Sequence, residues 1–445
     1  MKAPVFQALM PKLWIAALLF LPGISVNAAD VPRKPNIIFI LGDDVGMGDI
    51  GCSGADNYKT PNIDALASGG TRFSHAYTVS LCGPSRATIM TGRYLFRTGA
   101  TNQDAVGQIK PSDEILMPSV LKTAGYVTAA IGKWSQFSLT PIDFGFDDGL
   151  NFQGSGIYWN TQAKGKSYQL NGKTLPLRDK EYMPEVMHAH LVDFITKHHD
   201  DPFYIYYSMS HIHNEILPTP DSAPDSKDLY KDNIAYMDKL VGKLVAELQH
   251  QNLREKTLIV YFGDNGTANQ QAPTSTVGGR RLWGAKGSML EGGSRVPMVV
   301  NCPGMVPAGK VSEDLIDSSD FFPTFAELAG AKLPEKTVID GHSFLPQLRG
   351  EKGTPRDSIF IQLARKWYAL ERGWKLTESG ELFDMSGAPW AETLVAADTQ
   401  DPAAIAACKR LQAKLDQLNP AGGHLDEGDG TGRHANKKGK SKEDE

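Results

Sequence analysis

The chain has 445 residues, with 46 Lys and Arg against 51 Asp and Glu and a formal net charge of −5. That balance, with no basic stretch interleaved with aromatics, argues against a nucleic-acid partner. Four cysteines, Cys52, Cys82, Cys302 and Cys408, are too few and too scattered for a disulfide framework, and no C-x-x-C pair suggests zinc.

Residues 1–28 read as a signal peptide. Lys2 and Lys12 are followed by an apolar run from Leu13 to Leu21, and Val26-Asn27-Ala28 forms a small-residue cleavage site. The run is shorter than the ~20 residues a membrane span needs, and Pro22-Gly23 breaks it. The expectation is export, to the periplasm or outside the cell, with no membrane span in the mature chain.

From residue 29 onward, short apolar runs alternate with helical patterns. Asn36–Leu41, Val127–Ile131, Phe203–Tyr207, Leu258–Phe262 and Met298–Asn301 read as buried strands, whereas Tyr230, Ile234, Met237, Val241, Leu244, Val245 and Leu248 fall at helical spacing. The expected fold class is α/β: a large, mostly parallel sheet flanked by helices over residues 29–356. Residues 357–418 are expected to form a small C-terminal antiparallel-sheet subdomain. There Ile359–Leu363, Trp367–Leu370, Trp374–Thr377 and Glu381–Asp384 are short runs split by polar turns, and Ala403–Leu418 reads as a terminal helix. Residues 419–445 are rich in Gly, Lys and charge and read as a disordered tail.

Two features carry chemistry. In Cys82-Gly83-Pro84-Ser85-Arg86, Pro84 suits the first turn of a helix running to Thr91, which places residue 82 at a positive helix end that favours an anion. In addition, two strands end alike, in Gly42-Asp43-Asp44 and in Gly263-Asp264-Asn265-Gly266. Open parallel sheets bind ligands at the carboxyl ends of their strands. Three carboxylates and an amide meeting there make a hard oxygen cage for Ca²⁺ or Mg²⁺. Asx residues after strands are also common turn and cap formers, so either pair alone has a purely structural reading.

The Cys82–Arg86 core with its Thr91-Gly92-Arg93 extension resembles the sulfatase signature. Further motifs follow in the order of that family: Gly132-Lys133-Trp134, a histidine after a strand, Asp264-Asn265-Gly266, Lys286 followed by Glu291-Gly292-Gly293, Asn301-Cys302-Pro303-Gly304, and Asp340-Gly341-His342-Ser343. The resemblance implies an alkaline phosphatase-like fold. It also implies that a maturation enzyme oxidises Cys82 to formylglycine, whose hydrated aldehyde attacks sulfate esters. By the same resemblance Asp43, Asp44, Asp264, Asn265 and residue 82 hold Ca²⁺, ahead of Mg²⁺. Arg86 holds the formylglycine oxygens, Lys133 and Lys286 clamp the sulfate, and His213 contacts the sulfate and the departing oxygen. The expected partner is a sulfated small molecule or saccharide.

One position departs from the family pattern. Its histidine directly after Lys-Trp is replaced by Ser135, which is no base at neutral pH. His211 neighbours His213, and an extended Ser210–His213 segment would put both imidazoles on one face. His75, seven positions before Cys82, is the candidate for a relocated base, beside the simpler reading that it packs or caps locally and that water or Ser135 relays the proton. His188, His190, His198 and His199 read as surface residues. Two further functions stay open: a phosphate or phosphonate ester hydrolase of the same superfamily, and a non-catalytic protein that binds sulfated glycans.

Overall fold

A computed structural model describes residue 1 and residues 34–426 and 428, apart from residues 136, 155 and 161–165. The expected signal peptide, and the expected tail from residue 429 on, lie outside the described residues.

The Asn36–Gly42 strand lies at the centre of a ten-stranded sheet and is buried along its whole length. A strand covered on both faces needs apolar side chains at every position, which explains the unbroken run Ile37 to Leu41. Ile37, Phe39 and Leu41 face one hydrophobic layer, with Ala87, Met90, Leu121, Phe321 and Phe325 from the helices Cys82–Thr91, Met117–Thr123 and Phe321–Ala329. Ile38 and Ile40 face the other, with Ile63, Met187, Leu191, Ile234 and Val241 from the helices Pro61–Ser68, Met183–Lys197 and Leu229–His250. The result is helices on both faces of one sheet.

Strand Asn36–Gly42 pairs in parallel with Phe203–Ser208 on one side and Thr257–Gly263 on the other. Strand Val127–Ser135 continues the parallel array beyond Phe203–Ser208, followed by Asp148–Gln153. The sheet is mixed at its flanks: Met298–Asn301 runs antiparallel between Thr257–Gly263 and Thr71–Tyr77, and Ser167–Leu170 with Lys173–Pro176 closes the far edge antiparallel. The Val127 strand is longer than its apolar run, reaching Ser135, and so carries Lys133 on the strand itself. Gly42 pairs with Gly263 in register, so the two Asx-bearing strand ends emerge side by side.

Strands Ile359–Leu363, Lys366–Glu371, Trp374–Thr377, Leu382–Asp384 and Thr393–Leu394 form a second, antiparallel meander in sequence order. Helix Pro402–Leu418 starts with the Asp401 carboxylate accepting the Ala403 N–H at 3.0 Å. It buries Ala404, Leu411 and Leu415 against Phe360 and Leu376 of this sheet and against Tyr94 and Phe96. Beyond it, against the expectation of a disordered tail from residue 419, the chain is held by the His424 N–H on the Phe96 carbonyl (2.7 Å) and by the Asn102 amide on the Asp426 carboxylate.

All four cysteines are free. Among the described residues no helix is long and apolar enough to cross a membrane. His188 does not lie on the surface: it falls on the inner face of helix Met183–Lys197, 5 % exposed, and burial lowers its imidazole pKa to about 4. His190, on the same helix, binds Asp148 at 2.6 Å.

Candidate active site

Cys82 is the first residue of its helix, entered from an extended Leu81 and left through Gly92 in the left-handed region (φ 67°), whose N–H closes on the Thr88 carbonyl. Pro84 costs the first turn nothing, because the N–H it lacks has no partner within the helix. Every residue of this helix is buried. Arg86, four residues on, lies on the same face as Cys82.

Asp43 and Asp44 follow the central strand and are tied back at once. The Asp43 N–H donates to the His211 carbonyl at 2.8 Å, the Ile212 N–H to the Asp43 carbonyl at 2.7 Å, and the Asp44 N–H to Asp264 Oδ1 at 3.0 Å. Asp44 has φ 63°, a conformation that aspartate tolerates better than most residues. The Asp264 N–H donates to the Gly42 carbonyl at 3.0 Å, which fixes the second strand end against the first. At Gly266 an added Cβ would stand 1.8 Å from the Gly292 carbonyl oxygen, so only glycine lets the two loops close here.

The basic side chains interleave with these carboxylates. Lys133 Nζ is 2.6 Å from Asp43 Oδ2, and Lys286 Nζ is 2.6 Å from Asp44 Oδ1. Arg86 donates to Asp264 Oδ2 through Nε (3.1 Å) and Nη2 (2.7 Å), and its Nη1 reaches Ser208 Oγ, the Lys133 carbonyl and the Tyr206 hydroxyl. The Asn265 amide donates to Asp44 Oδ1 at 2.9 Å. Cys82 Sγ lies 3.6 Å from the same oxygen. His213 Nδ1 is 2.6 Å from the Asn214 carbonyl, which makes Nδ1 the protonated nitrogen and leaves Nε2 facing Asp44 Oδ2 at 3.9 Å. The nine residues singled out from the sequence, Asp43, Asp44, Cys82, Arg86, Lys133, His213, Asp264, Asn265 and Lys286, therefore form one connected cluster. All are buried except Lys286, whose side chain is 14 % exposed and reaches in from a loop.

The electrostatics follow from this interleaving. Burial would raise the Asp43 carboxyl, but Lys133, with His213, Arg86 and Lys286, outweighs it and holds Asp43 well below the usual range. Asp264 is pushed up instead, by burial and by the neighbouring Asp43 charge, against the pull of Arg86. Burial lowers His213, helped by Lys133. Burial raises the Cys82 thiol to about 12 despite Lys133 and Lys286.

Two oxygens are left over. Asp43 Oδ1 and Asn265 Oδ1 are buried and have no hydrogen-bond partner among the described residues. Orphaned acceptors of this kind are costly, and both belong to the expected ligand set. Ligand atoms of Asp43, Asp44, Cys82 and His213 lie within 4.8 Å of one another. Buried hard oxygens with unused lone pairs fit a cation, so the donor set suits a hard metal ion.

The nearby histidines lie elsewhere. Ser210–His213 is not an extended strand, and His211 turns away from His213 into the aromatic pocket of Tyr158, Tyr182 and Tyr236, with Nε2 3.0 Å from the Tyr182 hydroxyl. His75 Nδ1 bonds Ser74 Oγ at 2.9 Å, and the charges it feels are Arg295, Arg372 and Glu313 rather than any member of the cluster. Ser135 is buried with φ 63°, its hydroxyl unpartnered among the described residues. Three contributors carried no signal in the sequence: Ser208 and Tyr206, which receive Arg86, and Gln103, whose Oε1 accepts the Gly83 N–H at 2.9 Å in the first turn of the Cys82 helix.

The sulfatase family model matches residues 35–331. This chain belongs to the sulfatase family. An N-acetylgalactosamine-6-sulfatase of Canis lupus familiaris is 32% identical over 408 residues, covering 82% of this chain and 77% of the relative. Arylsulfatase A of Homo sapiens is 32% identical over 365 residues, covering 74% and 71%. A solved structure of Ps i-CgsB in complex with k-i-k-neocarrahexaose matches with TM-score 0.75 and 28% identity, covering 88% of this chain and 95% of that one. As a sulfatase, the chain is a sulfuric ester hydrolase, and the expected fold class holds, with the antiparallel flanks noted above.

Proposed function

We propose that this sulfatase is an exported, calcium-dependent enzyme that hydrolyses sulfate esters of a carbohydrate through a formylglycine made from Cys82 by a maturation enzyme. One observation carries the reading: Cys82 stands at a buried helix N-terminus among Lys133, Lys286 and His213, beside two orphaned carboxylate and amide oxygens. An unmodified thiol serves poorly there, since burial holds it protonated and the thiolate is the reactive form. The thiol sulfur stands in for the oxygen of the modified side chain.

Asp43, Asp44, Asp264, Asn265 and residue 82 would hold the ion. When bound, Ca²⁺ supplies polarisation of the sulfate oxygens and balances the carboxylate charge. The hydrated formylglycine supplies the oxygen nucleophile. Lys133 and Lys286 hold the sulfate and stabilise the charge growing on its oxygens, in a site already closed to water on most sides. His213 presents Nε2 toward the departing alcohol, and the Nδ1 bond to the Asn214 carbonyl fixes the ring for that role. Burial lowers its pKa and favours the neutral ring, so Nε2 must take up a proton before it can pass one to the departing alcohol. Arg86 compensates the buried carboxylates and keeps the Asp264 and Lys133 strand ends in place.

The carbohydrate assignment is supported by the relatives, one named an N-acetylgalactosamine-6-sulfatase and one solved in complex with k-i-k-neocarrahexaose. Sulfate release from nitrophenyl sulfate and from a panel of defined sulfated saccharides, set against nitrophenyl phosphate mono- and diesters, tests the reading. Sulfate release from saccharides is expected. Faster turnover of a phosphate ester than of every sulfate ester would replace it with the phosphatase or phosphodiesterase reading.

A further inference from the structure

Lys286 sits on a loop closed on itself by the Gly292 N–H to the Trp283 carbonyl (2.7 Å) and by Ser288 bonding back to Ala285. Gly284 and Gly287 on either side of Lys286 have φ 92° and 82°, and only the short turn Glu291–Ser294 follows. From the large domain the loop is held by the Lys286 N–H on the Thr267 carbonyl (3.0 Å), the Gly287 N–H on the Ser80 carbonyl (2.7 Å), the Asn269 amide on the Lys286 carbonyl (3.1 Å) and the Tyr77 hydroxyl on the Glu291 carboxylate (3.1 Å). Its other side is held by the C-terminal sheet. Lys375 Nζ, on strand Trp374–Thr377, donates to the Met289 carbonyl at 3.2 Å and forms an ion pair with Glu392 Oε2. Glu392 Oε1 in turn accepts the Glu291 N–H at 3.0 Å, and the Trp283 N–H donates to the Pro389 carbonyl at 2.9 Å.

The Lys375–Glu392 pair is deeply enclosed, with side-chain exposures of 3 % and 1 %. The Lys375 ammonium lies 5.1 Å from the centre of the Tyr368 ring and 5.2 Å from that of Phe383. Burying two charges this way gives no general gain in stability over an apolar pair of similar volume. What apolar side chains cannot do is make directed bonds to the loop backbone at residues 289 and 291. Both bonds fall within five residues of Lys286.

We propose that Lys375 and Glu392 are positioning residues for catalysis: from the C-terminal sheet they hold the 283–291 loop so that the Lys286 ammonium stays on Asp44 and on the sulfate. This rests on the reading of Lys286 as a sulfate-holding residue. The pair thereby couples the second sheet to the reaction centre without touching substrate.

A double-mutant cycle on the mature enzyme with nitrophenyl sulfate tests it, since an effect that passes through Lys286 disappears once Lys286 is gone. Lys375→Met is expected to lower kcat/KM by about tenfold or more, as misplacement of a clamping group does. Lys375→Arg should recover part of that loss. In a Lys286→Ala background the same Lys375→Met change should cost less than about twofold. If Lys375→Met fails to fold, Glu392→Leu, which removes the acceptor for the Glu291 N–H, replaces it in the cycle with the same expectation. Fully additive losses, or undiminished activity in a folded Lys375→Met variant, would overturn the positioning role alone. No loss in Lys286→Ala itself would overturn the sulfate-holding assignment and this proposal with it.

Discussion

Arg86 and Asp264 meet inside the buried cluster with both guanidinium contacts, 3.1 and 2.7 Å, on the single oxygen Oδ2. The other oxygen, Oδ1, accepts the Asp44 backbone N–H. Asp264 thus links the Cys82 helix to the loop after the central strand, and Arg86 Nη1 reaches the neighbouring strand ends. Arg86→Met removes a buried charge whose partner stays behind, which costs about 3–5 kcal/mol in comparable cases. A denaturant midpoint lowered to that extent, together with loss of activity, is the expected outcome. A variant as stable as the parent would contradict the structural part of the role.

The metal assignment can be checked without activity. Asp264→Asn keeps the shape of the side chain and removes its charge. In the parent, Ca²⁺ at 100 times its dissociation constant should raise unfolding stability by about 2.7 kcal/mol. In Asp264→Asn that increment should shrink strongly in thermal unfolding. Equal stabilisation of both proteins, or full activity after exhaustive chelation, would argue that no ion is held at this cluster.

Because His75 faces Ser74 and the Arg295–Arg372 surroundings, His75→Asn is expected to turn over like the parent, with no burst of alcohol release. A burst followed by slow turnover would restore the idea of a relocated base and contradict the geometry.

His188 links pH to stability. Its folded pKa is lowered to about 4, while the unfolded chain takes up the proton near 6.5. Between those values the unfolded state binds more protons, so stability falls as pH drops, by up to about 1.4 kcal/mol per pH unit for one group. His188→Gln should therefore show a shallower loss of unfolding free energy from pH 6.5 to 4.5 than the parent. Identical slopes would mean that His188 takes up its proton at the same pH in both states.

The central strands were legible because a strand covered by helices on both faces must be apolar throughout, as in Ile37 to Leu41 and Leu258 to Phe262. The antiparallel setting of Met298–Asn301 was not, since its buried run looks the same in either direction. Strand Val127–Ser135 was underestimated because Lys133 breaks the apolar run, although its charge is met by Asp43 inside the fold. At the site, the paired Asx residues could be read from their place after strands. The direction of His211 could not, because it depends on a turn after Ser208 and on aromatic rings from Tyr182 and Tyr236, distant in the chain. Ser208, Tyr206 and Gln103 are ordinary residues in sequence and acquire their roles only from what the fold brings against them.

Residue 82 decides the chemistry, and the mass of one peptide reports its state. Protein made in cells that contain the maturation enzyme, and shown to release sulfate, is digested with trypsin, and the peptide Phe73–Arg86 is examined by mass spectrometry and with a hydrazide probe. An aldehyde at position 82 that reacts with the hydrazide is expected. An active preparation in which that peptide carries only an alkylatable cysteine thiol would contradict it.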